Sequence, residues 1–333
     1  MRAYQFFIII EKDFTAYSKT MYTYDILTKL NYYFLFHSFY LLDKIIPMWF
    51  DVSVLEILKE CAINVYDNTK DIIGTDEGKE KFEIGAGGDV STKIDLIAER
   101  SVFDILKKSN FIPNVVGEEC GYVEGKDTGL IVMDGVDGTT NANCGLPFYC
   151  CSLAYSPDMN LTSVTDSVVF NLVSGDIFYA SKSKGSFMNG RRLYTSKEPS
   201  PTINEMVIGL NISGLSKEHF TSISRLVSSV SHIRHLGANA LELCYFARGS
   251  IDAYIDIREK IRSIDMAACY LIAKEAGGLI FDTNGIELDC KLSVNSRMSF
   301  IAVANIEMYN WIKNLMVWDI MFWFFNKGRA ADK

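Results

Sequence analysis

The residues best equipped for chemistry lie in one segment, Leu130-Ile-Val-Met-Asp134-Gly-Val-Asp137-Gly-Thr139-Thr140. A short apolar run, the pattern of a buried strand, ends in two carboxylates three positions apart, followed by Gly-Thr-Thr. Open sheets present ligands beyond the carboxyl ends of their strands. Two acids there repel by roughly 4 kcal/mol at about 4 Å and an effective dielectric of about 20. A bound divalent cation reverses that cost. A helix starting at Gly138-Thr139 would also offer its N–H groups to a phosphate. Taken alone, Asp-x-x-Asp-Gly-Thr is equally well an Asx turn closing a strand.

The segment has acidic company. Upstream stand Gly117-Glu118-Glu119, after the apolar pair Val115-Val116, and Asp89-Val-Ser-Thr92-Lys-Ile-Asp95. Downstream, Asp265 opens a predicted helix, where a carboxylate meets either the helix dipole or a metal. Asp265 by itself favours the dipole reading. Arg258, Lys260 and Arg262 alternate just before it. A guanidinium at 258 could grip a second phosphate through paired hydrogen bonds, or form part of an exposed basic loop. His37, His219, His232 and His235 form no ligand pattern. Gly85-Ala-Gly-Gly88 lacks the Lys-Ser/Thr of a phosphate loop and suits a hinge.

This constellation resembles the inositol monophosphatase family of metal-dependent sugar phosphatases, over most of the chain from about Leu55 to Asn314. The family pattern D-P-[IL]-D-G-[ST] matches Asp134 to Thr139, and W-D-x-A-[GA] matches Ile264-Asp265-Met-Ala-Ala268. Gly185-Ser-Phe-Met-Asn189-Gly190, Gly237-Ala-Asn-Ala-Leu-Glu-Leu-Cys244 and Glu275-Ala-Gly-Gly278 are also family-like. Asp256-Ile-Arg258 and Gly175-Asp-Ile-Phe-Tyr179 are closest to the archaeal branch, which hydrolyses inositol monophosphates and fructose 1,6-bisphosphate. By position, the resemblance implies that Glu118, Asp134, the Val136 carbonyl, Asp137 and Asp265 bind two Mg²⁺ ions, with a third possible nearby. It implies that Asp95 and Thr139 orient and deprotonate the attacking water, and that the Gly138 and Thr139 amides hold the phosphate. Around the sugar it points to Gly237, Asn239 and Asp256, with Arg258 as the candidate for a second phosphate. It also implies an αβαβα sandwich and a homodimer. Two positions depart from the motifs: Gly135 replaces a proline, which frees the turn, and Ile264 replaces a tryptophan. Neither removes a ligand.

Elements that could position these residues are readable from periodicity. Helices are expected at 54–73, 92–108, 238–247, 264–276 and from Tyr309 onward. Strands are expected at 130–133, 148–155, 167–173, 176–180, 251–257 and 298–303, with a hairpin turn at Asn189-Gly190. In the 251–257 strand, Ile251, Ala253, Ile255 and Ile257 should face one way and Asp252, Tyr254 and Asp256 the other. Residues 74–88 read as an exposed loop.

With 333 residues the chain has room for about two domains. The divisions expected are an aromatic-rich extension at 1–47, an N-terminal metal- and phosphate-binding domain at 48–197, and a C-terminal substrate domain at 198–333. The extension is either an added helical layer or upstream of a true start at Met48, where ordinary patterning begins. The second reading is slightly favoured. The first 46 residues hold 13 Tyr or Phe, but neither apolar run has the length of a membrane span. A net charge of -8 argues against a nucleic-acid binder. Eight cysteines without metal-site spacing read as reduced core thiols of a cytoplasmic protein. The expectation is therefore an α/β layered enzyme with the metal site between two subdomains. Its expected reaction is Mg²⁺-dependent hydrolysis of fructose 1,6-bisphosphate or inositol 1-phosphate. The alternatives are another small phosphate ester, such as a nucleotide 3′-phosphate, and a non-catalytic sugar-phosphate-binding protein. A haloacid-dehalogenase-type phosphatase is excluded, since it needs D-x-D rather than D-x-x-D spacing.

Overall fold

The computed structural model describes residues 53–195 and 205–316. Helices α1 (Val54–Thr69) and α2 (Lys93–Lys108) each bury one apolar stripe, Leu58, Cys61, Ala62 and Val65 on α1 and Ile94, Ala98, Val102 and Ile105 on α2. Between them, strands β1 (Lys81–Ile84) and β2 (Val90–Thr92) form an antiparallel ribbon. The loop expected at 74–88 thus contains a strand. All four residues of β1 are exposed, so no burial periodicity marks it in the sequence.

An eight-stranded sheet follows, built from β3 (Pro113–Gly117), β4 (Gly121–Val123), β5 (Asp127–Asp137), β6 (Cys150–Ser156), β7 (Asp166–Asn171), β8 (Ile177–Ser181), β9 (Gly185–Met188) and β10 (Arg191–Arg192). Its order is β10-β9-β8-β7-β6-β5-β3-β4. A short helix, α3 (Thr139–Cys144), leaves the end of β5. Asn189 and Gly190 both take positive φ, 50° and 79°, as the hairpin signal requires. The second sheet, ordered β12-β11-β13-β15-β14, contains β11 (Val207–Leu210), β12 (His232–Arg234), β13 (Ala253–Arg262), β14 (Leu279–Phe281) and β15 (Arg297–Val303). Helices α4 (Lys217–Ser229), α5 (Asn239–Ala247), α6 (Ser263–Glu275) and α7 (Ile306–Leu315) complete the described residues.

Three apolar cores stack these elements in the order αβαβα. One joins α1 and α2 to the first sheet. The central core packs α5 and α6 between the two sheets. The third joins the outer face of the second sheet to α4 and α7. Helix α6 buries residues on every side, including Ile264, Met266, Ala268, Cys269 and Leu271, as a helix in a middle layer must. Strand β13 separates two cores: Ala253, Ile255 and Ile257 face the outer one and Tyr254 the central one. Ile251 precedes the strand and joins the central core, against the alternation expected for it. Of the cysteines, all free, Cys61, Cys150, Cys151, Cys244 and Cys269 are buried, whereas Cys144 at the end of α3 is exposed rather than a core thiol. The aromatic extension at 1–47, the expected division between residues 197 and 198, and the aromatic segment at 318–325 lie outside the described residues.

Candidate active site and metal centre

The site begins where two parallel strands end together. Strand β3 pairs in parallel with β5, with Gly117 opposite Met133, so Glu118 and Asp134 follow side by side where that pairing ends. Against β6, Asp134 lies opposite Ser152 but Asp137 opposite Cys150, which inserts one extra residue into β5. This bulge turns the chain so that Asp134 and Asp137 are both buried at the strand end. The Val136 amide donates to Asp134 Oδ1 at 3.0 Å and fixes the carboxylate. Gly138 takes φ +95°, and a Cβ there would sit 3.1 Å from both Ala238 Cβ and the Phe148 carbonyl. Only glycine fits that corner.

Asp265 arrives from the central layer, in the first turn of α6, where its Oδ2 accepts the Arg262 amide at 3.1 Å. Among the described residues, Glu118, Asp134 and Asp265 bring ligand oxygens within 4.8 Å of one another. Asp137 is held by the start of α5, accepting the Ala240 amide at 2.6 Å. Burial pushes Glu118 up to about 8, against the pull of Arg262. Burial, then the Asp265 charge, raises Asp137 to about 7. Burial followed by the Glu118, Asp137 and Asp265 charges likewise raises Asp134. Three converging carboxyl groups, Glu118, Asp134 and Asp265, with buried Asp137 three residues along the chain from Asp134, suit a hard divalent cation in both donor chemistry and charge.

Beside this cluster lies a second arrangement. Thr139 Oγ1 is 2.9 Å from Asp95 Oδ1 and 2.9 Å from the Val136 carbonyl. The other Asp95 oxygen accepts the Thr92 amide at 2.9 Å and the Thr92 hydroxyl at 2.6 Å. Asp95 therefore completes a capping box at the start of α2, and its free direction points at Thr139. Burial raises the Asp95 carboxyl, and the Thr92 hydrogen bonds oppose that rise.

The sugar-side candidates sit on the second sheet and α5. Asn239 Oδ1 accepts the Tyr254 hydroxyl at 2.8 Å and Asn211 Nδ2 at 3.2 Å, next to the Ala240 amide that holds Asp137. Gly237 takes φ +88° against Asn141. Asp256 is fully buried, and its oxygens take the Arg258 guanidinium through Nε at 3.0 Å and Nη2 at 2.6 Å. Arg258 Nη1 also donates to the Ser213 carbonyl at 3.2 Å. Among the described residues, no direct hydrogen bond joins this pair to Glu118, Asp134, Asp137 or Asp265.

The match to family models is to the inositol monophosphatase family, over residues 53–312, a span that includes every site residue above. The chain belongs to that family. It is therefore a phosphatase, a phosphoric monoester hydrolase. A fructose-1,6-bisphosphatase/inositol-1-monophosphatase of Methanothermobacter thermautotrophicus is 35% identical over 72% of this chain and 87% of its own. A bifunctional NADP phosphatase/NAD kinase of Methanococcus maripaludis is 32% identical over 75% of this chain but only 47% of its own. Among solved structures, an inositol monophosphatase–fructose 1,6-bisphosphatase is 29% identical with TM-score 0.70, covering 79% of this chain and all of that one.

Several residues that build this phosphatase's site escaped the sequence reading. Glu99 accepts the Glu119 amide at 2.8 Å and the Cys120 amide at 2.9 Å, which sets the turn carrying Glu118. Its signal was available, since it lies one helical turn beyond Asp95. Glu242 accepts the Leu236 and Gly237 amides, both at 3.0 Å, and so shapes the loop before α5. Thr92 opens the helix expected at 92–108, but the sequence does not show that, as its cap, it holds Asp95 through both its amide and its hydroxyl. Arg262, which in the sequence only continues the alternation after Arg258 and Lys260, has its guanidinium in contact with Glu118 and 3.1 Å from Asp265 Oδ1.

Proposed function

We propose that this phosphatase is Mg²⁺-dependent and hydrolyses fructose 1,6-bisphosphate first and inositol 1-phosphate second. The observation that carries this reading is the convergence of Glu118, Asp134 and Asp265 within 4.8 Å. Together with Asp137 and the Val136 carbonyl, they would hold two or three ions. Bound metal lowers the pKa of water and neutralises charge on the transferring phosphoryl group. Asp95 acts as general base through Thr139. With one oxygen committed to Thr92, its other oxygen takes the Thr139 proton while the threonine oxygen accepts one from the attacking water. Attack is direct and in line, without a phosphoenzyme. The Gly138 and Thr139 amides hold the phosphate. Gly237 and Asn239 line the sugar, and Asp256 acts there by fixing Arg258, whose remaining N–H groups meet a second phosphate. The homodimer stays an expectation drawn from the family resemblance. Free thiols support a reducing, cytoplasmic setting. The NADP phosphatase relative makes the 2′-phosphate of NADP the second reading.

The test is phosphate release from fructose 1,6-bisphosphate, inositol 1-phosphate and NADP⁺, each with Mg²⁺ and with EDTA. Metal-dependent release from the first two is expected, and Asp134→Asn should abolish it. Release from NADP⁺ alone would move the assignment to the second reading. Full activity in Asp134→Asn would sink the site assignment.

A further inference from the structure

The carboxylates read above as metal ligands already have a cation of their own. Arg262 is the last residue of β13 and the cap of α6, so its backbone is fixed and only its side chain can travel. Its Nη1 pairs with Glu118 Oε1, and its Nε lies 3.1 Å from Asp265 Oδ1 and 3.4 Å from Oδ2. These two residues come from different layers of the sandwich and supply two of the three converging ligand oxygens. A guanidinium cannot leave by losing its proton, because it stays charged at any working pH. It must share the lone pairs with an incoming ion or move.

A place to move is present. Asp89, on the turn between β1 and β2, lies 3.5 Å from Arg262 Nη1 and its side chain is 84% exposed. The same turn approaches the guanidinium closely at Gly87, where a Cβ would sit 2.9 Å from Nη1, and the Gly87 amide donates to the Glu118 carbonyl at 2.7 Å.

We infer that Arg262 is a built-in competitor for the metal carboxylates, and that Asp89 is the partner that draws it off. This inference rests on the metal-site reading above. Net affinity for a divalent ion is then the ion's attraction to Glu118, Asp134 and Asp265 less the work of displacing the guanidinium. Asp89 lowers that work.

The experiment is calorimetric titration of the full chain with Mg²⁺, without substrate, paired with thermal melts in EDTA. Arg262→Met should bind Mg²⁺ about tenfold or more tightly, since it removes a like charge from the same oxygens. In EDTA it should melt earlier than the parent, because the clustered carboxylates lose their counter-ion. Asp89→Asn should bind Mg²⁺ more weakly, by roughly two- to fivefold for an exposed pair. In the Arg262→Met background the Asp89→Asn effect should vanish, whereas a general field effect of Asp89 would persist. Equal or weaker Mg²⁺ binding by Arg262→Met overturns the inference, as does an Asp89 effect that survives in the double variant. Should Arg262→Met fail to fold, Arg262→Lys keeps the charge and loses the fork; tighter binding supports the inference and unchanged binding overturns it. Asp134→Asn separates the two levels. If that variant binds Mg²⁺ as tightly as the parent, the metal-site reading fails and takes this inference with it.

Discussion

Gly135 stands where the resembled motif D-P-[IL]-D-G-[ST] has its proline, between the two aspartates of the β5 bulge. A sequence reading assigns it backbone freedom, but the structure supplies a steric reason for it. A Cβ built at residue 135 would lie 2.7 Å from Ala98 Cβ and 3.3 Å from the Glu99 amide nitrogen. Carbon atoms pack best at about 3.5–4.0 Å, so the overlap is roughly 1 Å. Neither side yields readily, because Ala98 is fully buried in the middle of α2 and the next atoms met are backbone. Gly135→Ala should therefore cost about 1–3 kcal/mol, the usual range for overpacking a core. Gly135→Pro places its Cβ in the same space and should cost at least as much. Ala98→Gly removes the obstruction, and on its own should cost about 1 kcal/mol in helix propensity. The double variant should then be more stable than the sum of its parts by roughly 1–2 kcal/mol, the coupling expected of residues in contact. Urea titrations of the parent, both single variants and the double variant measure that coupling directly. Additivity to within about 0.5 kcal/mol would refute the steric argument. A Mg²⁺ titration on the same samples should show weaker binding in Gly135→Ala, recovered in the double variant, because the clash displaces Asp134 and Asp137 together.

Other consequences can be checked separately. Burial, opposed by the Gly237 and Leu236 hydrogen bonds, raises Glu242 to about 7. The folded state thus holds a proton that the unfolded chain has lost, so this group's share of stability declines as pH rises from about 4.5 to about 7. Glu242→Gln should flatten that part of a stability–pH profile, and an unchanged slope would remove Glu242 as its source. Arg258→Ala strands the buried Asp256 carboxylate and should lower stability by about 3–5 kcal/mol in a urea titration. Adding Asp256→Ala should return part of that loss, and no recovery would count against the pair. Thr139→Val keeps the shape of the α3 start but removes the hydroxyl that meets Asp95. It should lower kcat by about 10²–10⁴ with little change in KM, so a change confined to KM would assign Thr139 to binding alone.

Much of this site was legible in the sequence because its central segment is local. Asp134, Asp137, Gly138 and Thr139 occupy one strand end and the helix start after it, a spacing that fits either clustered acids beside an N–H cradle or an Asx turn, and the acidic segments elsewhere in the chain tip the reading toward the first. Asp95 and Asp265 fall in the first turns of helices that periodicity predicts, although Asp265 by itself reads as an acid placed for the helix dipole. The apolar stripes of α1 and α2 are visible as helical periodicity, whereas the burial of α6 on every side, which puts it in a middle layer, is seen in the fold. What the sequence could not determine is which distant residues share a volume. Glu118 stands beside Asp134 only because β3 and β5 pair in parallel, and Asp265 joins them only because α6 packs between the two sheets. Arg262 illustrates the difference: along the chain it is one more alternating charge after Arg258, and in the fold it is the counter-ion of Glu118 and Asp265. Gly135 illustrates it from the other side, its missing side chain explained by a methyl group on another element. Spacing along a chain encodes local geometry, because covalent structure and hydrogen bonding set the rise per residue. Contacts between layers depend on which apolar faces find each other, and those were decided by tertiary packing.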